Sequence, residues 1–358
     1  MSNYIEYNDK IVFHPGYYIK EIIEDSGLTQ EDFAKRLDTS AKNLSCIVRG
    51  EQSLSVDMAI KLSRMLGTSP NYWLNLQQTY DTQVAEINSK EKLEEERAVF
   101  KALGYKYFRD FFDLPDLPRK IDEQIECVRT KLQVASLTVF KERDMAVSFR
   151  NCGENMQEIN IVKANIMVQI AINEARTVTA PKFNKEKFED AAEYALTLTQ
   201  NHSEFYPILR EKFKEAGVIF VVLPNLPGSK TNGATKKIGS NILLLLNDRR
   251  MYSDSFWFTL FHEIGHIMNG DYGITFDGED DCEDAADKYA EDKLIPPDDY
   301  RKFIDTGLFD VYSIAQFASS ISRDPGIVLG RLKNDNLVSY QDWKLTKAFS
   351  HQYKVITN

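Results

Sequence analysis

The residues of this 358-residue chain that could do chemistry stand in the run His262-Glu263-Ile264-Gly265-His266. Residues four apart lie on one face of a helix, so His262 and His266 can present ring nitrogens to a single metal ion. Glu263 follows about 100° around the helix, where its carboxylate can take a proton from an attacking water. This spacing indicates a zinc-dependent hydrolase with Glu263 as general base. The plainer alternative is an amphipathic helix that carries two histidines.

A helix must position these groups, and the flanking sequence predicts its limits. Ser253 and Asp254 are typical capping residues, and apolar side chains recur from Phe256 to Met268. Asn269-Gly270 predicts the C-terminal end.

Zinc needs a third protein ligand, while the fourth position stays open. The segment that starts at Asp280 predicts a second helix that ends before Pro296-Pro297. Glu283 is the best third ligand, and Asp287, one turn on, is an acceptor that would hold a ligating histidine ring in place. Asp284 and Cys282 remain open as competing ligands. The alternative interpretation of this segment is an acidic, solvated helix face.

The run 215–224, the segment Gly233-Ala234-Thr235, the His-Glu-x-x-His helix and residues 283–296 together resemble the ImmA/IrrE family of metallopeptidases. The resemblance implies a zincin-like domain with zinc on His262 and His266, Glu263 as catalytic base, and cleavage of a regulatory protein such as a repressor. One departure is Ala285, which stands where the family often has a second glutamate.

An apolar, β-branched run predicts a buried strand at 217–223 in this domain, and two further strands are expected at 233–237 and 241–247. In zincins the strand beside the active-site helix often forms an edge that pairs with an extended substrate. Ile242–Leu246 is the candidate for that edge, with an ordinary covered strand as an equal alternative.

Residues 10–80 predict a compact all-helical unit. Thr29 is the expected N-cap of a helix at 30–37, with Asp32 in the capping-box position. A short turn leads to a second helix at 41–49, which is the helix-turn-helix plan. Its expected core is Phe33, Leu37, Leu44, Ile47, Val48, Leu62 and Leu66. The candidate DNA contacts are Gln30, Ser40, Lys42, Asn43, Ser45 and Arg49.

The pattern from His14 through Leu76 resembles the Cro/C1 (XRE) type of helix-turn-helix domain, and more narrowly the HigA antitoxin type. The resemblance implies a homodimer that binds an inverted repeat in operator DNA, usually its own promoter. Residues 1–80 carry eight Lys and Arg against ten Asp and Glu, so phosphate contacts should be few and binding salt-sensitive. A bundle that binds protein instead of DNA is the alternative.

The net charge of −10 and pI near 5.2 argue against a polybasic nucleic-acid binder. Four scattered cysteines favour a reducing compartment, and the sequence shows neither a leader pattern nor an apolar run of membrane-spanning length. A cytoplasmic protein that does not contact membranes is expected. Cys127, Cys152 and His202 are interpreted as structural, and His351 as inert in a polar tail.

The predicted fold class is α+β and mostly helical. It comprises an all-α helix-turn-helix domain (1–80), a helical linker and middle region (81–200), and a zincin-like domain with a small sheet (201–358). Middle helices are expected near 119–135, 136–148, 156–175 and 185–201. C-terminal helices at 298–305, 311–322 and 325–334 are interpreted as closing the peptidase fold.

The leading functional hypothesis is a DNA-binding regulator of antitoxin or prophage-repressor type that carries a zinc peptidase. Its partners would be operator DNA and a protein substrate or toxin. The alternative is a repressor or antitoxin whose zincin domain does not cleave and serves as a sensor or partner-binding module.

Overall fold

The structure is a computed structural model, and it describes residues 4–7, 10–142, 157–248, 252–276 and 284–353. The chain divides into two compact units, Met1–Glu95 and Glu96–Asn358. No helix among the described residues combines the length and apolar character needed to cross a lipid bilayer.

The N-terminal unit opens with an antiparallel hairpin of β1 (Tyr4–Tyr7) and β2 (Lys10–Phe13). The prediction of an all-helical unit was therefore wrong at this end. The physical reason is a short alternating run in β2, where Ile11 is exposed and Val12 is buried. The helices that follow are α1 (Pro15–Ser26), α2 (Gln30–Arg36), α3 (Ala41–Val48), α4 (Val56–Leu66) and α5 (Pro70–Leu103).

Side-chain caps and glycines set the ends of these helices. Thr29 and Ser40 cap α2 and α3 by accepting backbone N–H bonds, which confirms the predicted cap at Thr29. Gly27 and Gly67 end α1 and α4 in the left-handed conformation. The predicted core is buried except for Leu66, which is partly buried against it.

The C-terminal unit contains a mixed sheet surrounded by helices. Its helices are α6 (Tyr105–Phe112), α7 (Ile121–Leu132), α8 (Glu158–Ala175), α9 (Lys185–Leu196), α10 (Phe205–Glu215), α11 (Ser253–Asn269), α12 (Asp284–Leu294), α13 (Pro297–Ile304), α14 (Val311–Ser320), α15 (Pro325–Asn334) and α16 (Trp343–Phe349). Its strands are β3 (Val218–Leu223), β4 (Thr231–Ile238), β5 (Asn241–Asn247) and β6 (Ile274–Phe276).

The strands lie in the order β3–β5–β4–β6, with β3 parallel to β5 and the other neighbours antiparallel. The hypothesis that Ile242–Leu246 forms a substrate-pairing edge is wrong, because β5 lies between β3 and β4. Every residue from Ile242 to Leu246 is buried, as expected for a strand whose two faces are both covered. The strand on the outer side of β4 is β6.

The middle of the chain differs from its prediction in two ways. Within the helix expected at 136–148, the described residues form a short 3-10 turn, Leu137–Lys141, and residues 143–156 lie outside the described part. Residues 96–200 also belong to the same unit as the sheet. The reason is α8, whose largely buried apolar residues pack against β3 and β5.

The helix α11 runs through the core of this unit, with α12 packed closely along it. Gly265 lies at the crossing, where a Cβ would stand 3.3 Å from Ala286 Cα and 3.2 Å from Tyr289 Cδ1. The helices α14 and α15 contribute buried residues to the same core, in agreement with their expected structural role.

Candidate metal centre and nucleic-acid interface

The two histidines of α11 converge on one point. His262 and His266 lie one helical turn apart, and their Nε2 atoms are 3.0 Å from each other. Both residues are nearly buried, at 4% and 3% exposure. The spacing of the motif thus places two imidazole nitrogens where one ion can contact both.

Each imidazole is held from its other nitrogen by a carboxylate. Asp287 Oδ1 on α12 lies 2.7 Å from Nδ1 of His262, and Asp271 Oδ2 lies 3.1 Å from Nδ1 of His266. A carboxylate accepts a hydrogen bond, so this geometry favours the tautomer with the proton on Nδ1 in both rings. Both Nε2 lone pairs then face each other, which is stable with a cation between them.

The donor set suits zinc. With Zn–N bonds of ~2.0–2.1 Å, two tetrahedral ligand atoms stand about 3.3 Å apart, which is close to the observed Nε2 separation. The candidate third ligands Glu283 and Cys282 lie outside the described residues. Asp284 is the first residue of α12 and is exposed.

Glu263 is completely buried, and the sheet determines where it lies. Gly233 in β4 faces its side chain so closely that a Cβ at this glycine would stand 2.5 Å from Glu263 Oε1 and 2.7 Å from its Cγ. The backbone of β4 at Gly233 therefore lies directly against the Glu263 side chain and fixes the position of its carboxylate.

The sequence predictions assigned no role to Asp271, although a signal for it was present. Gly270 ends α11 with φ 74°, and the N–H of Asp271 then donates to the carbonyl of His266 at 2.9 Å. This turn brings the residue after the C-terminal glycine back beside the last turn of the helix. An acidic residue directly after Asn269-Gly270 was the available signal.

The helix α11 begins at Ser253 as predicted, but neither predicted residue caps it. Tyr252 occupies the N-cap position without a side-chain hydrogen bond. The hydroxyl of Ser253 instead donates to Asp324 Oδ1 at 3.0 Å.

We expect Asp287→Asn and Asp271→Asn each to weaken zinc binding by about 10–100-fold, because each removes the charged acceptor that orients one imidazole. Competition with a chromophoric chelator measures this affinity. Asp292→Asn on the exposed side of α12 is the matched control. Unchanged affinity in both variants would contradict a role for these carboxylates in holding the rings.

The helices α2 and α3 place the candidate DNA contacts on the outer side of the N-terminal unit. Lys42 is exposed, whereas Gln30, Asn43 and Ser45 are half-buried. The hydroxyl of Ser40 accepts the backbone N–H of Asn43 at 3.1 Å, which caps α3. Asn43 Nδ2 in turn donates to Thr39 Oγ1 at 3.0 Å, so its amide is oriented before any ligand binds.

Arg49, at the end of α3, is held by an acid of the same unit. Its Nε and Nη2 donate to the carboxylate of Glu51 at 2.9 and 2.8 Å. Hydrogen bonding to Arg49 lowers the pKa of Glu51 below its ordinary value. The cation predicted to contact DNA is thus engaged by a neighbouring anion on the surface.

Comparison with known proteins assigns this N-terminal unit. The family model described as helix-turn-helix, HTH_3, matches residues 19–73. The chain is 35% identical over 72 residues to the uncharacterized HTH-type transcriptional regulator YddM of Escherichia coli K12, and covers 77% of that protein. The chain belongs to the helix-turn-helix family.

A second relative is virulence-associated protein I of Dichelobacter nodosus, 34% identical over 80 residues that make up 74% of that protein. Among solved structures, the Pseudomonas aeruginosa antitoxin HigA with the higBA promoter is 32% identical, with 92% of it and 24% of this chain covered at a TM-score of 0.22. The two sequence relatives cover 20% and 22% of this chain, so they do not assign the metal centre.

Proposed function

We propose that this protein is a DNA-binding transcriptional regulator, of antitoxin or prophage-repressor type, with an ImmA/IrrE-like zinc peptidase domain that hydrolyses a peptide bond in a regulatory protein. The observation that carries the peptidase proposal is the convergence of His262 and His266 Nε2, each ring held by a carboxylate, beside the buried Glu263. The helix-turn-helix unit supplies the regulatory part.

The roles of the side chains follow from their positions. His262 and His266 would hold the ion through Nε2, with Asp287 and Asp271 keeping the protons on Nδ1. When bound, zinc would supply Lewis-acid polarisation of a carbonyl and lower the pKa of water. Glu263 would accept a proton at its carboxylate from the attacking water and deliver it to the leaving amine. The backbone at Gly233 keeps that carboxylate in position.

In the N-terminal unit, α3 is the proposed recognition helix in the major groove. Lys42 and Arg49 would contact phosphate or guanine, and Asn43 would contact adenine. We further propose a homodimer on an inverted repeat, since helix-turn-helix proteins read two half-sites one helical turn apart. Because the chain has a net charge of −10, favourable contacts with DNA phosphates are expected on this surface of α3 and not over the protein as a whole.

Two assays on the full chain test the proposal. Products of neighbouring genes are incubated with zinc-loaded protein and with chelator-treated protein, and new peptide termini are sought by mass spectrometry. A gel shift uses the DNA upstream of the protein's own gene against scrambled DNA of equal length. Zinc-dependent cleavage and sequence-selective retardation are expected. Absence of the first removes the peptidase part, and absence of the second removes the DNA-binding part.

The ion pair of Arg49 gives a directional prediction for DNA binding. We expect Glu51→Gln to tighten operator binding by roughly three- to tenfold at low salt. The slope of log affinity against log salt concentration should become steeper by about one. The reason is that Arg49 becomes available to phosphate and one repelling anion is lost. Affinity is measured by fluorescence anisotropy over a salt series.

Glu24→Gln is the matched control, because Glu24 forms an exposed pair with Lys20 at 3.7 Å on α1. Equal effects of the two variants would show that only the total charge matters. Weaker binding by Glu51→Gln would contradict a DNA contact by Arg49.

One observation favours the second candidate, a regulator whose metal domain does not cleave. His262, Glu263 and His266 are at most 4% exposed, so an ion can reach them more easily than a polypeptide can. In that case the zinc site would be a sensor or a structural element. Stoichiometric zinc that is lost on His262→Ala, together with no cleavage of any neighbouring gene product, would support this candidate over the peptidase.

A further inference from the structure

A second cluster of possible metal ligands lies away from the His262 pair, built from residues distant in sequence. It comprises His202 between α9 and α10, Asp324 at the N-cap of α15, and His351 beyond α16. One ligand atom from each lies within 4.8 Å of the others. His202 Nε2 is 3.2 Å from Asp324 Oδ2.

Asp324 is oriented by the fold. The residue is 1% exposed. Its Oδ1 accepts the hydroxyl of Ser253 at 3.0 Å and the N–H of Gly326 at 2.9 Å. With Oδ1 engaged in this way, Oδ2 faces His202. A buried carboxylate is thus fixed with one oxygen directed at an imidazole.

His202 is oriented from its opposite nitrogen. Nδ1 lies 3.1 Å from the hydroxyl oxygen of Tyr353, which also accepts Trp257 Nε1–H at 3.0 Å. A proton on Nδ1 of His202 can donate to that oxygen and leaves the Nε2 lone pair directed toward Asp324.

The distance between these two atoms suits an ion. Ligand atoms on a tetrahedral ion with bonds of ~2.0–2.1 Å stand about 3.3 Å apart, and the observed separation of His202 Nε2 from Asp324 Oδ2 is 3.2 Å. A divalent ion can therefore lie between these two atoms without movement of the backbone.

His351 supplies the third group. Its ring stacks on that of His202, with centroids 3.8 Å apart and planes at 20°. An ion lies in the plane of a ligating imidazole, so the His351 ring must turn about its side-chain bonds to direct a nitrogen at the ion. The side chain is exposed and can turn. The backbone is already anchored, since the His351 carbonyl accepts the N–H of Ser253 at 2.8 Å.

We propose that His202, Asp324 and His351 form a second binding site for a divalent transition-metal ion such as Zn²⁺ or Co²⁺. Two imidazoles and one carboxylate are a donor set that these ions prefer. The ion would fasten the C-terminal segment around His351 to the first residue of α11. The site is separate from the proposed peptidase centre, and the proposal stands whether or not the protein cleaves a substrate.

The test uses the full chain with any affinity tag removed, in a His262→Ala/His266→Ala background that disables the other centre. Co²⁺ is titrated, and binding is followed by its d–d absorption and by elemental analysis. One equivalent of bound ion is expected. Adding His351→Ala should weaken binding by at least about tenfold, whereas the adjacent exposed Gln352→Ala should leave it unchanged.

A second measurement distinguishes ligation from loss of folding. Hydrogen exchange of the backbone at 350–353 is expected to slow when Zn²⁺ is added to the background protein and to be insensitive to Zn²⁺ in the His351→Ala variant. Asp324→Asn should remove the cobalt signal as well. A background protein that binds no ion, or a His351→Ala variant that binds as the background does, would overturn the proposal.

Discussion

Glu263→Gln is expected to lower peptide hydrolysis by about 10²–10⁴-fold while zinc stays bound. Glutamine has nearly the same shape as glutamate, so it fits the space beside Gly233 that the strand leaves for this side chain. An amide cannot accept the proton from the attacking water, and the metal site built on His262 and His266 is otherwise unchanged. Single-turnover cleavage of the identified substrate, with zinc content measured on the same sample, provides the check.

Glu211→Gln on the exposed side of α10 controls for a simple change in charge. Activity like that of the unmodified protein, with zinc still present in Glu263→Gln, would refute the role of Glu263 as base. Loss of both zinc and activity would show that the carboxylate has a structural role in the metal site instead.

Gly16→Ala is expected to destabilise the N-terminal unit by about 3 kcal/mol or more and to abolish operator binding. A Cβ at Gly16 would lie 1.9 Å from the carbonyl oxygen of Ile47 and 2.9 Å from Cα of Val48. Both are backbone atoms of the proposed recognition helix α3, so no side-chain rotation can relieve the contact. The helices α1 and α3 would have to separate, which opens the core around Leu44 and Ile47.

Hydrogen exchange of the α1 and α3 amides in the full chain measures this effect, and a gel shift measures its consequence. Gly27→Asn is the control, because Gly27 has open space around it and asparagine tolerates its left-handed conformation. Zinc content should be the same in both variants. Full protection of α3 in Gly16→Ala would show that the close approach of the two helices is not needed for stability.

Much of the fold could be predicted where local signals agree. The helix α2 begins after Thr29, whose hydroxyl caps the backbone as predicted, and α3 begins after Ser40, a serine that was expected as a DNA contact and that caps its helix in the same way. Gly270 ends α11 at the predicted residue because only a left-handed residue can turn the chain there. These features depend on a few neighbouring residues, so the sequence is sufficient for them.

Predictions that depended on distant parts of the chain succeeded less often. The strand β5 lies inside the sheet because it pairs with both β3 and β4. Which strands become neighbours depends on how the rest of the chain packs, and the sequence of a single strand does not show this. The hairpin of β1 and β2 was not foreseen, because strands of four residues carry a weak local signal and depend on pairing with each other and on burial of Val12. The helices α7, α8 and α9 of the middle region were located approximately, but neither the 3-10 turn at Leu137–Lys141 nor the packing of α8 against the sheet was predicted.

The sequence by itself determined the helix-turn-helix unit and the pairing of His262 with His266, because a helix puts residues four apart on one face whatever surrounds it. The sequence also predicted Asp287 as an acceptor for one histidine ring. Only the tertiary structure decided that this ring is His262, that Asp271 holds the ring of His266, that Gly233 contacts Glu263, and that His202, Asp324 and His351 meet. These groups come from separate elements, and helical periodicity carries no information on how such elements pack. Their proximity arises when apolar surfaces are buried together and the polar groups between them must find partners.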